Sequence, residues 1–175
     1  MVKMLTTGYN HNGLAAVRYP RGKITGVEFK NEFSKLINIG KAKWVRKGVD
    51  IAYFVFGTML SSIKKVAESN NATIIDMRFV KPIDEDVIVE VSNTHRFIFT
   101  VEDNTILGGA GSAVNEVLVK YGINKIVKNL GVPDETISHG NQNDILASIG
   151  MDYNGILGTT SNHIKFMEEY EKKVR

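Results

Sequence analysis

The stretch Arg96–Val114 (RFIFTVEDNTILGGAGSAV) combines three structural signals in a short span. Arg96–Val101 is an apolar, aromatic and β-branched run, which predicts a buried strand. Glu102, Asp103 and Asn104 follow it and predict a polar turn. Three glycines then open a segment whose apolar residues fall at helical spacing. A strand, a corner and a helix make half of a βαβ unit, and α/β proteins place their functional groups at such corners.

The same alternation continues through the rest of the chain. The predicted strands are Leu14–Tyr19, an edge strand or strand pair within Leu36–Val45, Asp50–Phe56, Thr73–Met77, Arg96–Val101 and Lys125–Leu130, the last ended by Gly131 and Pro133. The predicted helices are Val2–Thr7, Met59–Ser69 with Thr58 as a candidate N-cap, Ile83–Val91 after a start signal at Pro82 and Asp84, one following Gly111, Asn143–Ile149 and Thr160–Lys173. This pattern predicts a three-layer α/β/α fold with a mostly parallel sheet covered by helices on both faces.

Composition excludes several classes of function. The chain has 175 residues, enough for one α/β domain and a short additional piece. A net charge of +3, spread along the chain, argues against a nucleic-acid partner. The absence of cysteine excludes thiolate chemistry and fits a reducing cytoplasm. No apolar run approaches the ~20 residues that span a bilayer, so we expect a cytoplasmic protein without a membrane partner.

The glycine-rich segment and the acidic corner each have two interpretations. GGAGS at a helix N-terminus would suit an anion, since unpaired N–H groups and the helix dipole point there. Its spacing matches neither GxGxxG nor a phosphate loop, so we favour close packing of small residues on the sheet. Glu102 and Asp103 are likewise turn or capping residues, or else contacts to a ligand or partner chain.

The four histidines do not form a metal site by their spacing. His11, His95, His139 and His163 make no HxH or HExxH pair, and no GxSxG elbow accompanies them. His95 is expected to end a helix before a strand. His139, in ISHGNQ, is expected in a loop, either solvated or functional. We expect no catalytic residue and no metal ligand in this chain.

Arg21 is the strongest candidate binding residue. It follows the predicted strand Leu14–Tyr19 and lies between Pro20 and Gly22, on a backbone that proline stiffens. A guanidinium held in this way suits two-point binding of a phosphate or carboxylate, although a surface arginine in a linker is the alternative. Arg18, inside the predicted strand, is expected to form a structural ion pair.

Five segments together carry a family resemblance. They are AAVRYPRG at Ala15–Gly22, FGTML at Phe56–Leu60, ATIIDMRFVKPID at Ala72–Asp84, HRFIFTVEDNTILGGAGSAVNE at His95–Glu116 and LGVPDETISHG at Leu130–Gly140. In this order, and along nearly the whole chain, they resemble the 1-deoxy-D-xylulose-5-phosphate synthases. The ending SNHIKFMEEYEKKVR shares only helical character with that family, and Lys23–Lys35 matches it poorly.

The resemblance implies a fold and a reaction. Enzymes of this family resemble transketolase, and they condense pyruvate with D-glyceraldehyde 3-phosphate using thiamine diphosphate and Mg²⁺, releasing CO₂. The product feeds the non-mevalonate isoprenoid route and the synthesis of thiamine and pyridoxal. Residues 1–22 would correspond to the end of the pyrimidine-binding domain, 23–36 to a linker and 37–175 to the transketolase C-terminal-like domain. The domain that binds diphosphate and Mg²⁺ would be absent, so we expect no cofactor bound by this piece.

The resemblance assigns a role to one residue. The second arginine of RYPRG binds the phosphate of the aldehyde substrate in this family, and here that residue is Arg21. The family also implies a homodimer. Three hypotheses follow: a piece of the full enzyme that is inactive alone, a separate subunit of a split transketolase-like enzyme, or a non-enzymatic module that binds an anion or supports dimerisation. The start of the sequence in mid-domain favours the first, because a half-formed domain would leave the edges of the strand Leu14–Tyr19 exposed.

Overall fold

A computed structural model describes residues 1–20 and 35–174 of the chain. Within these residues the strands are β1 (Lys43–Arg46), β2 (Ile51–Val55), β3 (Thr73–Asp76), β4 (Phe97–Thr105) and β5 (Val127–Val132). The helices are α1 (Val2–Asn10), α2 (Leu60–Asn70), α3 (Glu85–Thr94), α4 (Ala110–Lys120), α5 (Gln142–Ser148) and α6 (Tyr153–Val174). One turn of 3₁₀ helix, Gly57–Met59, precedes α2.

The strands form one sheet in the order β1-β3-β2-β4-β5. Strands β2 to β5 run parallel to their neighbours, and β1 pairs antiparallel with β3 at the edge. The predicted mostly parallel sheet is therefore confirmed. The apolar run in β2 is buried along its whole length, as expected for a central parallel strand.

Each face of the sheet carries its own hydrophobic core. Because successive side chains of a strand point to opposite faces, Tyr53 and Phe99 lie on one side with residues of α2 and α6. Phe54 and Ile98 lie on the other side with residues of α3 and α4. The helices thus cover both faces, and the three-layer α/β/α architecture is confirmed.

The direction in which the chain winds reverses between β2 and β4. The helix after β2 packs on one face of the sheet, whereas the helix after β4 packs on the opposite face. The loops leaving these two adjacent strands therefore diverge at the carboxyl edge. Open α/β sheets bind their ligands at this topological switch point.

The predicted strand Leu14–Tyr19 is wrong. Residues 14–20 have no regular secondary structure, and the side chain of Leu14 is fully exposed. An apolar run becomes a strand only when a neighbouring strand accepts its backbone hydrogen bonds. Among the residues that the structure describes, no strand pairs with this segment.

At three further places the ends of the elements differ from the prediction for an identifiable reason. Strand β4 continues through the expected acidic turn, because β5 still pairs with it at Thr105. Gly131 lies inside β5 instead of ending it. Helix α6 begins seven residues before the predicted start, where an Asp152 carboxylate oxygen accepts a hydrogen bond from the Gly155 N–H at 2.8 Å. Aspartate is a favourable residue for this position.

Within residues 1–20 and 35–174, no helix combines the length and the apolar character needed to cross a membrane.

A row of aromatic rings connects α6 with the sheet. The ring of His163 meets Phe99 edge-on at 5.4 Å and lies parallel to Phe166 at 6.3 Å between centroids. Its Nε2 is buried without a hydrogen-bond partner. Burial, and secondly the nearby Lys128, hold the pKa of His163 below its ordinary value of 6.5. Protonation of this ring therefore opposes the packing of α6.

We predict that His163 makes the chain sensitive to acid. Because the unfolded imidazole binds its proton at a higher pH than the folded one, the free energy of unfolding falls as the pH drops below about 6.5. In His163→Phe, which keeps an aromatic ring without a titrating group, this fall should be smaller between pH 7.5 and 5. Urea unfolding at several pH values measures the difference. An identical pH dependence in both proteins would contradict the prediction.

Candidate functional site

Two adjacent acidic residues at the carboxyl end of β4 lie at the switch point. Glu102 and Asp103 leave the strand toward opposite faces of the sheet, as neighbouring strand residues do. Glu102 points to the side of α4, and Asp103 points toward the end of β2. Neither residue lies in a turn, so the predicted polar corner is wrong.

Glu102 caps α4 from within the sheet. Its two carboxylate oxygens accept hydrogen bonds from the N–H groups of Ala110 and Gly111, each at 2.8 Å. The side chain is 2% exposed. A negative charge at a helix N-terminus also interacts favourably with the helix dipole. The carboxylate thus uses the N–H groups that an anion would need.

The glycines of GGAGS permit this close approach. A Cβ atom on Gly109 would lie 2.5 Å from a Glu102 carboxylate oxygen. A Cβ on Gly111 would collide with the hydroxyl oxygen of Thr100. The packing interpretation of these glycines is therefore confirmed, and the anion-binding interpretation of GGAGS has no support in the structure.

Asp103 joins two distant parts of the chain. One carboxylate oxygen accepts a hydrogen bond of 2.6 Å from the hydroxyl of Thr58, just after β2. The other accepts one of 3.0 Å from the guanidinium of Arg18, 85 residues away in sequence. The same guanidinium also approaches the main-chain carbonyl of Asp103 at 3.4 Å. We call this arrangement the Arg18–Asp103–Thr58 cluster.

The loop after β2 is shaped to admit the Asp103 carboxylate. Gly57 has a φ of +70°, and a Cβ there would lie 3.2 Å from an Asp103 carboxylate oxygen. Thr58 was expected to be a helix N-cap. It makes no capping hydrogen bond, because its hydroxyl is turned toward Asp103 instead. The expected ion pair of Arg18 is confirmed.

Arg21 lies outside the described residues, as does most of the predicted 23–36 linker. Its role in phosphate binding stays a prediction. The described chain stops at Pro20, two residues after Arg18, whose side chain is held at the switch point. The structure thus shows where the segment that leads to Arg21 is attached.

The structure does not bring the histidines to this site. His139 is exposed and borders a shallow cavity of about 390 Å³ with Glu135 and Asp144, and the lining of this cavity includes none of Arg18, Asp103 and Thr58. His95 is buried at the end of α3, as predicted, where its Nε2 lies 2.7 Å from the Thr73 hydroxyl oxygen. In the part of the chain that the structure describes, no three His, Asp or Glu residues are grouped to hold a metal ion.

Sequence reasoning missed the partnership of Thr58 with Asp103. The local sequence predicts a helix cap at Thr58 and a turn residue at Asp103. The strand order decides otherwise, because it places the ends of β2 and β4 side by side. A parallel pair with helices on opposite faces is the signal that could have found the cluster.

Comparison with known proteins agrees with the fold. The transketolase C-terminal domain family matches residues 40–156. The chain belongs to this family. A solved structure described as "Split gene transketolase, inactive beta4 tetramer" superposes on this chain with a TM-score of 0.67. The superposition covers 74% of this chain and 44% of the other chain. At 23% identity, it supports the fold alone.

Individual relatives of this chain are more informative than the family match. The chain is 49% identical over 154 residues to the 1-deoxy-D-xylulose-5-phosphate synthase of Aeromonas hydrophila. It is 44% identical over 162 residues to the enzyme of that name from Idiomarina loihiensis. These matches cover 88% and 93% of this chain but about a quarter of each relative. The predicted resemblance is therefore confirmed: the chain is a homologue of the C-terminal region of 1-deoxy-D-xylulose-5-phosphate synthases.

We predict that Glu102 is a major determinant of stability. Glu102→Gln keeps the shape but replaces one acceptor oxygen with an NH₂ group, which leaves a buried N–H of α4 unpaired. This should lower the free energy of unfolding by about 2–3 kcal/mol. The exposed Glu116 on the same helix gives a matched control, since Glu116→Gln should change it by less than about 0.5 kcal/mol. Chemical denaturation measures both, and equal losses would contradict the capping role.

Proposed function

We propose that this chain is the C-terminal quarter of a 1-deoxy-D-xylulose-5-phosphate synthase. The whole enzyme would condense pyruvate with D-glyceraldehyde 3-phosphate to 1-deoxy-D-xylulose 5-phosphate and CO₂, a precursor of isoprenoids, thiamine and pyridoxal. The observation that carries the proposal is an identity of 44–49% over about nine-tenths of this chain, confined to a quarter of the relatives' length.

This portion would contribute substrate binding and architecture. Arg21 would bind the phosphate of the aldehyde through paired charge-assisted hydrogen bonds, which orient the substrate as well as hold it. The α/β domain would carry that residue and support a homodimer in the cytoplasm. Acid–base and electrostatic catalysis need a preorganised set of groups, and one arginine does not provide it. The 175 residues alone would therefore be inactive.

The described residues do not fit thiamine diphosphate or Mg²⁺. They contain no group of metal-ligating side chains. The helix N-terminus that could accept a diphosphate is capped by Glu102. The cofactor would be held by the three-quarters of the relatives' length that this chain does not span.

The alternative is a separate subunit of a split enzyme. Under this hypothesis the chain would associate with a second polypeptide that carries the thiamine diphosphate domains. A covalent fusion would then be unnecessary, so an experiment that compares fused and unfused forms separates the two.

We predict that the chain restores activity to a relative that lacks its own C-terminal quarter. Fused in place of the matching C-terminal quarter of the Aeromonas hydrophila enzyme, it should support synthesis of 1-deoxy-D-xylulose 5-phosphate, whereas the 175 residues alone should not. In the fusion, Arg21→Ala should raise the KM for D-glyceraldehyde 3-phosphate about tenfold or more, because a charged hydrogen-bond pair is lost. The KM for pyruvate should stay unchanged.

Controls make this test specific. Lys23→Ala removes a neighbouring positive charge and should leave the KM for D-glyceraldehyde 3-phosphate within about twofold. Binding of thiamine diphosphate to the fusion shows that the remaining domains are intact. A fusion that binds thiamine diphosphate but forms no product would refute the proposed function. Full activity from the two unfused polypeptides would favour the separate subunit.

A further inference from the structure

Arg78 has an unfavourable backbone conformation two residues beyond the end of β3. Its φ is +57°, and the N–H of Phe79 donates to the Met77 carbonyl oxygen at 2.5 Å, which closes a γ-turn around it. A residue with a Cβ atom rarely adopts this region, whereas glycine adopts it freely. Non-glycine residues held in such conformations cluster at functional sites. The conformation therefore points to a use for the arginine side chain that glycine could not supply.

The guanidinium of Arg78 has N–H donors without acceptors. Its Nε lies 3.8 Å from an Asp76 carboxylate oxygen, which is an ion pair but exceeds the length of a hydrogen bond. No acceptor in the described part of the chain receives a hydrogen bond from this guanidinium. The other arginines whose side chains the structure describes each donate to an oxygen atom: Arg18, Arg46 and Arg96. The side chain of Arg78 is 26% exposed, so its unused donors are within reach of a ligand.

Positive charge predominates around the Arg78–Asp76 pair. Asp76 is the last residue of β3, and the exposed Lys43 of β1 lies directly opposite it in the sheet. Burial raises the pKa of Asp76, while the Arg78 guanidinium and N–H, then Lys43 and the N-terminal ammonium group, act in the opposite direction. These cations outnumber the one carboxylate, so an additional anion would be attracted to this place.

The position of Arg78 in the fold also suits ligand binding. Asp76 is aligned with Val55 at the end of the parallel strand β2, so Arg78 lies at the carboxyl edge of the sheet. Open α/β sheets bind their ligands at this edge. A guanidinium presents parallel N–H groups that match two oxygens of a carboxylate or phosphate group. Such a pair of short hydrogen bonds would replace the long contact with Asp76.

We propose that Arg78 binds a small oxyanion, a phosphate or carboxylate group, at the carboxyl end of β3. The guanidinium would hold two oxygens of the ligand, and Lys43 would add attraction at longer range. Asp76 would compete with the ligand for the guanidinium. The inference goes beyond the proposed function and does not rest on it, since it gives the α/β domain a binding site of its own.

Titration of the 175-residue chain tests the site directly. Sodium phosphate and sodium acetate are added separately at constant ionic strength, and NMR follows the side-chain Nε–H of Arg78 and the backbone N–H of Phe79. Saturable shifts should appear with at least one anion. Binding of phosphate would indicate a phosphorylated ligand, whereas binding of acetate alone would indicate a carboxylate. The absence of a saturable shift with both anions would overturn the inference.

Variants at the site should change the affinity for the anion in opposite directions. Arg78→Gln removes the charge and should weaken binding about tenfold or more. Arg78→Lys keeps the charge without the paired donors and should give an intermediate affinity. Asp76→Asn removes the competing carboxylate and should strengthen binding about two- to fivefold. An unchanged affinity in Arg78→Gln, or a weaker one in Asp76→Asn, would contradict the proposed site.

A matched control lies at the opposite edge of the sheet. Arg96 immediately precedes β4 and forms a surface ion pair with Glu171 at 2.8 Å. Arg96→Gln removes the same charge from the chain and should leave the affinity for the anion within about twofold, because salt screens distant charges. Equal weakening in Arg96→Gln and Arg78→Gln would show a response to overall charge, and a specific site at Arg78 would be refuted.

Stability separates a binding role of Arg78 from a structural one. Glycine adopts a φ of +57° without strain, so Arg78→Gly should abolish anion binding and raise the midpoint of urea unfolding. A lower midpoint in Arg78→Gly would show that the arginine is retained for stability, which would overturn the inference. All of these variants leave Arg21 unchanged, so neither result bears on the experiment with the fused enzyme.

Discussion

Two adjacent acidic residues near the carboxyl end of strand β4, Glu102 and Asp103, direct their side chains toward opposite faces of the sheet. Glu102 accepts two N–H groups of α4 on one face, and Asp103 accepts Thr58 and Arg18 at the end of β2. The buried Glu102 carboxylate is tolerated because both of its oxygens are paired with donors. These two neighbours therefore fix the helix that follows β4, the loop that follows β2 and the segment before residue 21. A shift of β4 by one residue would exchange the two faces and break all of these contacts.

The same two residues lie at the topological switch point of the sheet. The winding of the chain reverses between β2 and β4, which opens the carboxyl edge of the sheet at this point. In this protein the opening is closed on one side by the cap of α4, and on the other it receives an arginine from the N-terminal segment.

Much of this architecture could be predicted from the sequence. Alternating strands and helices predict the mostly parallel sheet, and the apolar run of β2 predicts its central place. Local patterns misplace elements whose structure depends on distant partners. Leu14–Tyr19 has strand composition, but no strand lies beside it among the residues that the structure describes. Glu102 and Asp103 have turn composition but bond to α4 and to the end of β2, and α6 starts early because Asp152 caps it. The hydrogen bond between Thr58 and Asp103 could not be predicted for the same reason. It forms because β2 and β4 are neighbours in the sheet, and the local sequence around either residue does not reveal that order.

We propose that this chain is the C-terminal part of a longer thiamine diphosphate enzyme. An immunoblot of lysate from the source cells, with antibody raised against the 175 residues, tests it most directly. We expect one band several-fold larger than 19.4 kDa, because the matches cover about a quarter of each relative. Purification of that band should yield activity with pyruvate and D-glyceraldehyde 3-phosphate. A single band at 19.4 kDa would instead show that the cell makes this polypeptide as a separate subunit.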